Sequence, residues 1–176
     1  FLVGAKGVRR VAIPAKAQLL DMVEGRVIIR SQEAWTAGGK KFPAGSLLSV
    51  DLAQLKADPA HLKPTLIYQP GPREAFDDAS ASKDMLLVSI LDNVRGRTLV
   101  YRPGPKGSWT HSQLDLPDNS TVGIAAASSA DNQALLTVTN FLTPPSLWLA
   151  DAGTGSVKQI MSQPAKFDAS GLVAEQ

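Results

Sequence analysis

Two histidines, sixteen carboxylates and no cysteine are the groups this chain offers for acid–base and nucleophilic chemistry. His61 follows Asp58-Pro59-Ala60 in a loop, and His111 follows Trp109-Thr110 beside a strand. A histidine base needs a nucleophile presented on a sharp turn, and no Gly-x-Ser-x-Gly pentapeptide occurs. Both histidines therefore read as surface or turn residues. The absence of cysteine excludes thiol catalysis, thiolate metal sites and a disulfide scaffold, and there is no His-Glu-x-x-His. Asp77-Asp78 lacks the alternating acidic loop and glycine of a calcium site, so it reads as a pair of solvated turn carboxylates. "GAKG" (4–7) and "GPKG" (104–107) lack the Gly-Lys-Ser/Thr ending of a phosphate loop and read as hairpin turns. The sequence thus assigns no catalytic residue, no cofactor-binding residue, no metal ligand and no cofactor.

Two stretches have the chemistry of binding. In "DNVRGR" (92–97), Arg95 and Arg97 could form a cationic rim for a peptide carboxylate or an acidic partner. The plainer interpretation, preferred here, is a turn in which Asn93 and Gly96 take positive φ and the arginines are simply exposed. Trp35, at the head of a Gly- and Lys-rich loop, is either a platform for a ligand or an aromatic anchor in the core.

These groups must be positioned by short strands. Apolar runs rich in Val, Ile, Leu and Thr, separated by Gly, Pro, Asn and Asp, predict strands over 8–13, 18–23, 26–30, 46–51, 65–68, 77–80, 85–91, 98–102, 112–116, 121–126, 134–139, 146–150 and 157–161. The single helical candidate, 52–62, is interrupted by Pro59 and supports one turn in a long loop. The stretches starting at Ala79 and Ala126 align: Asp84 with Asp131, Leu86-Leu87 with Leu135-Leu136, and Leu99-Val100-Tyr101 with Leu147-Trp148-Leu149, at offsets of 47 to 49 residues. A repeat of about 40–50 residues with four strands is a β-propeller blade. The fold class is therefore all-β: a partial β-propeller of about three four-stranded antiparallel blades and one extra strand. Blades are expected at 18–68, 75–116 and 121–162, with 8–13 the outer strand of a preceding blade. In "FLTPPSLWLADAGTG" (141–155), Pro144-Pro145 belong in the turn between second and third strands. Leu147 and Leu149 should then point to one face and Trp148 to the other.

Composition agrees with a folded domain: 44% of residues are apolar and the formal charge is only +2. No apolar run approaches the ~20 residues of a membrane-spanning helix. Residues 1–41 carry eight Lys/Arg against three acids, but only Phe1 and Trp35 offer stacking faces among them. Solvated strand faces, not a nucleic-acid groove, are expected there. Lack of cysteine suits cytoplasm and periplasm equally, so localisation stays open. The chain opens on Phe1 and stops in mid-pattern, which predicts a piece of something longer.

The stretches "FPAGSLLSVDL" (from Phe42), "SASKDMLLVSILDNVRGRTLVYR" (from Ser80), "LPDNSTVG" (from Leu116), "VTNFLTPPSLWLADAGTG" (from Val138) and "PAKFDASGLVAEQ" (from Pro164) together resemble the prolyl oligopeptidase family of serine peptidases, in its bacterial members. The resemblance runs from about Asp21 to Gln176. It implies a seven-bladed propeller capping an α/β-hydrolase domain that holds the Ser, Asp and His of the triad. This chain would be the C-terminal part of the propeller, with 164–176 as the exit segment toward a hydrolase domain absent here. It would be inactive alone. In the parent, the propeller would gate access of short peptides, and its partners would be the hydrolase domain of the same chain and those peptides. An open set of blades leaves apolar blade faces exposed, so self-association is expected. Two rivals stand beside this reading. One is a free-standing propeller that binds a protein or glycan. The other is a propeller enzyme such as a glycosidase, which would call for inward-facing acidic pairs.

Overall fold

The computed structural model describes residues 1–4, 7–165, 167, 169 and 171–172. The fold is all-β. It opens with a hairpin of β1 (Leu2–Gly4) and β2 (Gly7–Arg9). β3 (Ala17–Val23) then pairs with β4 (Arg26–Ser31) through a turn in which Glu24 and Gly25 both have positive φ. After β4 the chain inserts a second hairpin, β5 (Trp35–Ala37) and β6 (Lys40–Phe42), before returning as β7 (Leu47–Asp51) to pair with β4. Asp51 caps the short helix α1 (Leu52–Ala57), accepting the Gln54 N–H at 2.8 Å, and β8 (Thr65–Tyr68) closes this sheet.

A second sheet follows in simple succession: β9 (Glu74–Ala81), β10 (Leu86–Asp92), β11 (Arg95–Pro103) and, after a 3₁₀ turn at Pro105–Gly107, β12 (Trp109–Gln113). The third is β13 (Thr121–Ala127), β14 (Gln133–Thr139), β15 (Ser146–Asp151) and β16 (Ser156–Ser162). Each sheet is an antiparallel up-and-down run in which neighbours in sequence are neighbours in space, apart from the inserted hairpin in the first. Among the described residues no sheet closes on itself.

The expected strands mostly hold, with local corrections. Of the expected 8–13 strand only Val8 and Arg9 lie in a strand, β2; Ala12 instead donates to the Pro59 carbonyl at 2.8 Å. The strand expected at 112–116 lies earlier, at Trp109–Gln113, because the chain turns through Leu114, whose N–H bonds Thr98. β1 and the β5–β6 hairpin are additions to the expected list. α1 is a genuine short helix that stops before Pro59.

The chain divides into two compact units, one of Phe1–Pro70 with Pro103–Trp109, the other of Gly71–Arg102 with Thr110–Gln176. The 103–109 turn groups with the first unit for a visible reason: Arg26 donates to the Gly104 and Ser108 carbonyls and lies over the Trp109 ring at 5.1 Å.

In the first unit Val27, Ile29, Leu48 and Val50 form a cluster with Trp35, Phe42, Leu55 and Leu62. In the second, Met85, Leu87, Val100 and Leu114 cluster with Val122, Leu136 and Val138. Burying each such side chain stabilises by about 1.5–3 kcal/mol. β4 and β10 are buried on both faces, which is why their apolar runs are continuous. β14 alternates instead: Ala134, Leu136 and Val138 are buried while Gln133, Thr137 and Thr139 are exposed.

Candidate functional site

The histidines are placed apart from any shared chemistry. His61 has an 83% exposed side chain, with Nδ1 3.0 Å from the Asp58 carboxylate. The hydrogen bond from His61 is the main cause holding Asp58 below the ordinary carboxylate range. The pair staples its own loop, since Asp58 also accepts from the backbone of Ala60 and His61. His111 is exposed and its ring rests 5.0 Å from that of Tyr101. Burial pushes the Tyr101 phenol up to about 12, with the Glu74 carboxylate adding to the rise.

Asp77-Asp78 departs from simple alternation. The register shifts between Ser89 and Ile90, so Asp77 is the extra residue of a β-bulge. Its carboxylate accepts the Ser89 hydroxyl at 3.4 Å, while Asp78 accepts the Ala79 N–H at 2.8 Å. Among the described residues no group of three or more acidic or histidine side chains is placed to hold a metal ion.

Trp35 is settled as an anchor: it is 8% exposed, sits in the first unit's cluster and meets Phe42 at a ring distance of 6.5 Å. "GPKG" forms the 3₁₀ turn between β11 and β12, with Lys106 and Gly107 at positive φ. In "GAKG" the two ends pair as Gly4 and Gly7, while Ala5 and Lys6 lie outside the described residues.

"DNVRGR" differs from expectation in an instructive way. The two positive-φ residues are Asn93 (47°) and Val94 (68°), not Gly96. A β-branched residue in this region is strained, and Val94 is 69% exposed on the tip. Gly96 is required by space: a Cβ there would lie 2.5 Å from the Val122 nitrogen and 2.7 Å from the Ser120 carbonyl oxygen. Nor is Arg97 a free cation. It donates to Asp118, and that hydrogen bond and charge hold the Asp118 carboxyl below its usual range.

This turn belongs to the richest surface of the second unit. Buried Ser120 ties it to the β14–β15 loop: its carbonyl accepts the Gly96 N–H at 2.7 Å and its hydroxyl accepts from the Asn140 amide at 3.4 Å. Asn140 folds the next loop into a turn, accepting the N–H groups of Leu142 at 2.9 Å and Thr143 at 2.6 Å. Phe141, at the corner of that turn, is 85% exposed. Behind it a groove of about 170 Å³ is walled by Leu142, Pro144, Pro145, Pro164 and Phe167. The segment leaving β16 forms one wall, held by Gln163 N–H to the Pro145 carbonyl at 3.0 Å. Phe141 and Phe167 escaped sequence reasoning. The available signal was an apolar aromatic directly after Asn in a turn, where neither sheet face can cover it.

The groups gathered at this end are rings, prolines, amides and one ion pair. They suit binding.

Repeated four-stranded meanders with binding groups on the connecting loops define a propeller-like β module. The chain's relatives are uncharacterized peptidases and a post-proline cleaving enzyme, consistent with a fragment of a prolyl oligopeptidase family protein. The chain is 34% identical over 165 residues to an uncharacterized peptidase, y4nA, of Sinorhizobium fredii, covering 93% of this chain. It is 24% identical over 172 residues to an uncharacterized peptidase of Rickettsia prowazekii. The chain spans 23% of the length of each of these curated relatives. Its fold matches a post-proline cleaving enzyme from Rickettsia typhi with a TM-score of 0.75 at 25% identity, over 90% of this chain and 23% of that one. A structure from work on two prolyl endopeptidases matches with a TM-score of 0.64 at 14% identity, over 87% of this chain and 21% of that one, a likeness of fold alone. No protein-family model matches.

Proposed function

We propose that this chain is the C-terminal part of the β-propeller of a prolyl oligopeptidase-like serine peptidase. Its three four-stranded sheets are three blades, at 18–68, 75–116 and 121–162, and the opening strands come from a preceding blade. Residues 164–176 lead toward an α/β-hydrolase domain that carries the triad. The observation that carries this reading is the match over 93% of the chain to under a quarter of a peptidase's length, joined to three successive four-stranded meanders.

The module's role is steric. Propeller blades covered on both faces make a stiff wall, and a wall with a narrow channel admits short flexible peptides while excluding folded proteins. In this reading the triad lies in the hydrolase domain, so the chain alone is inactive as a peptidase. The test compares cleavage of a short proline-containing peptide with cleavage of the same sequence displayed in a folded protein. The full-length native protein should cleave the first and spare the second, and the 176-residue chain should cleave neither. Peptidase activity in the 176-residue chain, or equal cleavage of both substrates by the full-length protein, would overturn the proposal.

A further inference from the structure

We infer that a second pocket, between β11–β12 of the second sheet and the β15–β16 turn of the third, binds a carboxylate carried on a short apolar stem, whether the last residue of a peptide or a small aliphatic acid. It lies where β16 begins, at the end opposite the one from which the chain leaves that strand. The inference does not depend on the function proposed above.

The pocket holds about 230 Å³, and period two decides which side chains face it. Tyr101 and His111 stack on one face of β11 and β12, with ring centroids 5.0 Å apart. Their neighbours Val100, Arg102, Thr110 and Ser112 therefore turn the other way, into the pocket. Buried Met85 and Val100 give it an apolar floor. Arg102 is exposed at the rim and donates through Nη2 to the Gly153 carbonyl at 3.2 Å, which leaves its other N–H groups open. Among the described residues Arg102 has no ion pair, and the Thr110 and Ser112 hydroxyls have no hydrogen-bond partner.

The facing wall is fixed before anything binds. The Asp151 carboxylate accepts the N–H groups of Gly153 at 2.8 Å and Thr154 at 3.1 Å. The Asn132 carbonyl accepts the Ala152 N–H at 2.8 Å, and the Asn132 amide donates to Asp84 at 2.7 Å. Asp84 and Asp151 thus serve the scaffold, and the lining itself contains no carboxylate to compete for Arg102. A preformed site loses little conformational entropy on binding.

These groups select the ligand by its chemistry. A planar guanidinium with a free edge matches a carboxylate through two parallel hydrogen bonds. Two unpartnered hydroxyls can donate to the same oxygens. The floor removes an apolar stem from water. A phosphate would leave that floor unused and would call for a second cation, whereas the His111 ring is turned to the other face and the lining has no lysine.

The chain has three methionines, of which Met85 alone lines the pocket, so isotope labelling of the methionine methyls places a reporter in the floor with Met22 and Met161 as internal controls. The 176-residue chain is titrated by NMR with isovalerate, acetyl-alanylvaline, the amide of that dipeptide and inorganic phosphate. Both acids should move the Met85 signal saturably and leave the other two in place. The amide and phosphate should bind about tenfold more weakly or worse, as the loss of one charge-assisted pair requires. Arg102→Leu should weaken both acids by about tenfold or more, and Arg102→Lys, which keeps the charge but not the fork, by less. Lys106→Leu, at an exposed cation outside the pocket, should change nothing. Should Arg102→Leu disturb the Met85 signal before ligand is added, the comparison of acid with amide in the unaltered chain decides the matter by itself. Tighter binding of acetyl-alanylvaline than of isovalerate assigns the pocket to peptide C-termini, and the reverse order assigns it to small acids. Equal binding of acid and amide, phosphate binding tighter than either acid, or no saturable movement of Met85 overturns the inference.

Discussion

The first sheet and the last deal with an apolar face in opposite ways. On the first, Val27, Ile29, Leu48 and Val50 are covered by the chain's own insertions: Trp35 and Phe42 from the β5–β6 hairpin, Leu55 from α1, and Leu62. On the last, the face with Leu136 and Val138 is buried, but the opposite one carries half-buried Leu135, Leu147 and Leu149 beside Met161, 66% exposed. Trp148 lies on the buried side with the cluster. An apolar sheet face facing water costs free energy unless something covers it. The contrast teaches that the first sheet covers the middle of this face with its own insertions, leaving Leu19 and Leu66 exposed at its edges, whereas the last presents a row of half-buried leucines across its open face.

Substitutions test how unequal the two sheets are. Trp35→Ala should cost about 3–5 kcal/mol in chemical denaturation, because it empties the cover of the first cluster. Leu136→Ala, on the buried face of β14, should cost about 2–5 kcal/mol, whereas Leu149→Ser on the open face should cost less than about 1 kcal/mol. Equal losses at 136 and 149 would erase the comparison.

The open face should also drive association. Light scattering of the chain at micromolar concentration should show dimers or larger species, and Leu149→Lys with Met161→Lys should return it to a monomer. A wild-type chain that is monomeric throughout would mean the face is adequately shielded by its own side chains.

Smaller effects sharpen the picture at the loops. Val94→Gly relieves a positive-φ strain and should stabilise by about 0.5–1 kcal/mol, net of glycine's greater freedom in the unfolded chain. In the second sheet, the Tyr101 phenol is raised from 10.0 to about 12 in the folded state. A raised folded value means its contribution is fully present below pH 10 and is lost as pH climbs through 12. Alkaline denaturation should therefore lose part of its steepness in that window in Tyr101→Phe.

Much of the architecture was legible because strands write themselves in alternation and turns. The 47–49-residue spacing located the second and third sheets, and the Leu147/Trp148 split of faces followed from period two alone. The β5–β6 hairpin was missed although its signal was present: Gly38-Gly39, both at positive φ, is a two-residue turn between Ala37 and Lys40. Gly96 was misread because glycine serves both positive φ and close approach, and the sequence does not say which; here Ser120 and Val122, more than twenty positions away, decide it. The Phe141 groove was illegible for a related reason. It exists only where the β14–β15 loop meets the segment after β16, a contact between residues 145 and 163 that no local pattern records.

The most direct test of the central claim is to read the native coding frame beyond Gln176. The account predicts a continuation of several hundred codons with a Gly-x-Ser-x-Gly turn followed by Asp and then His, the order of an α/β-hydrolase. A stop codon soon after Gln176, or only further blades, would contradict it and leave a β module whose task is binding.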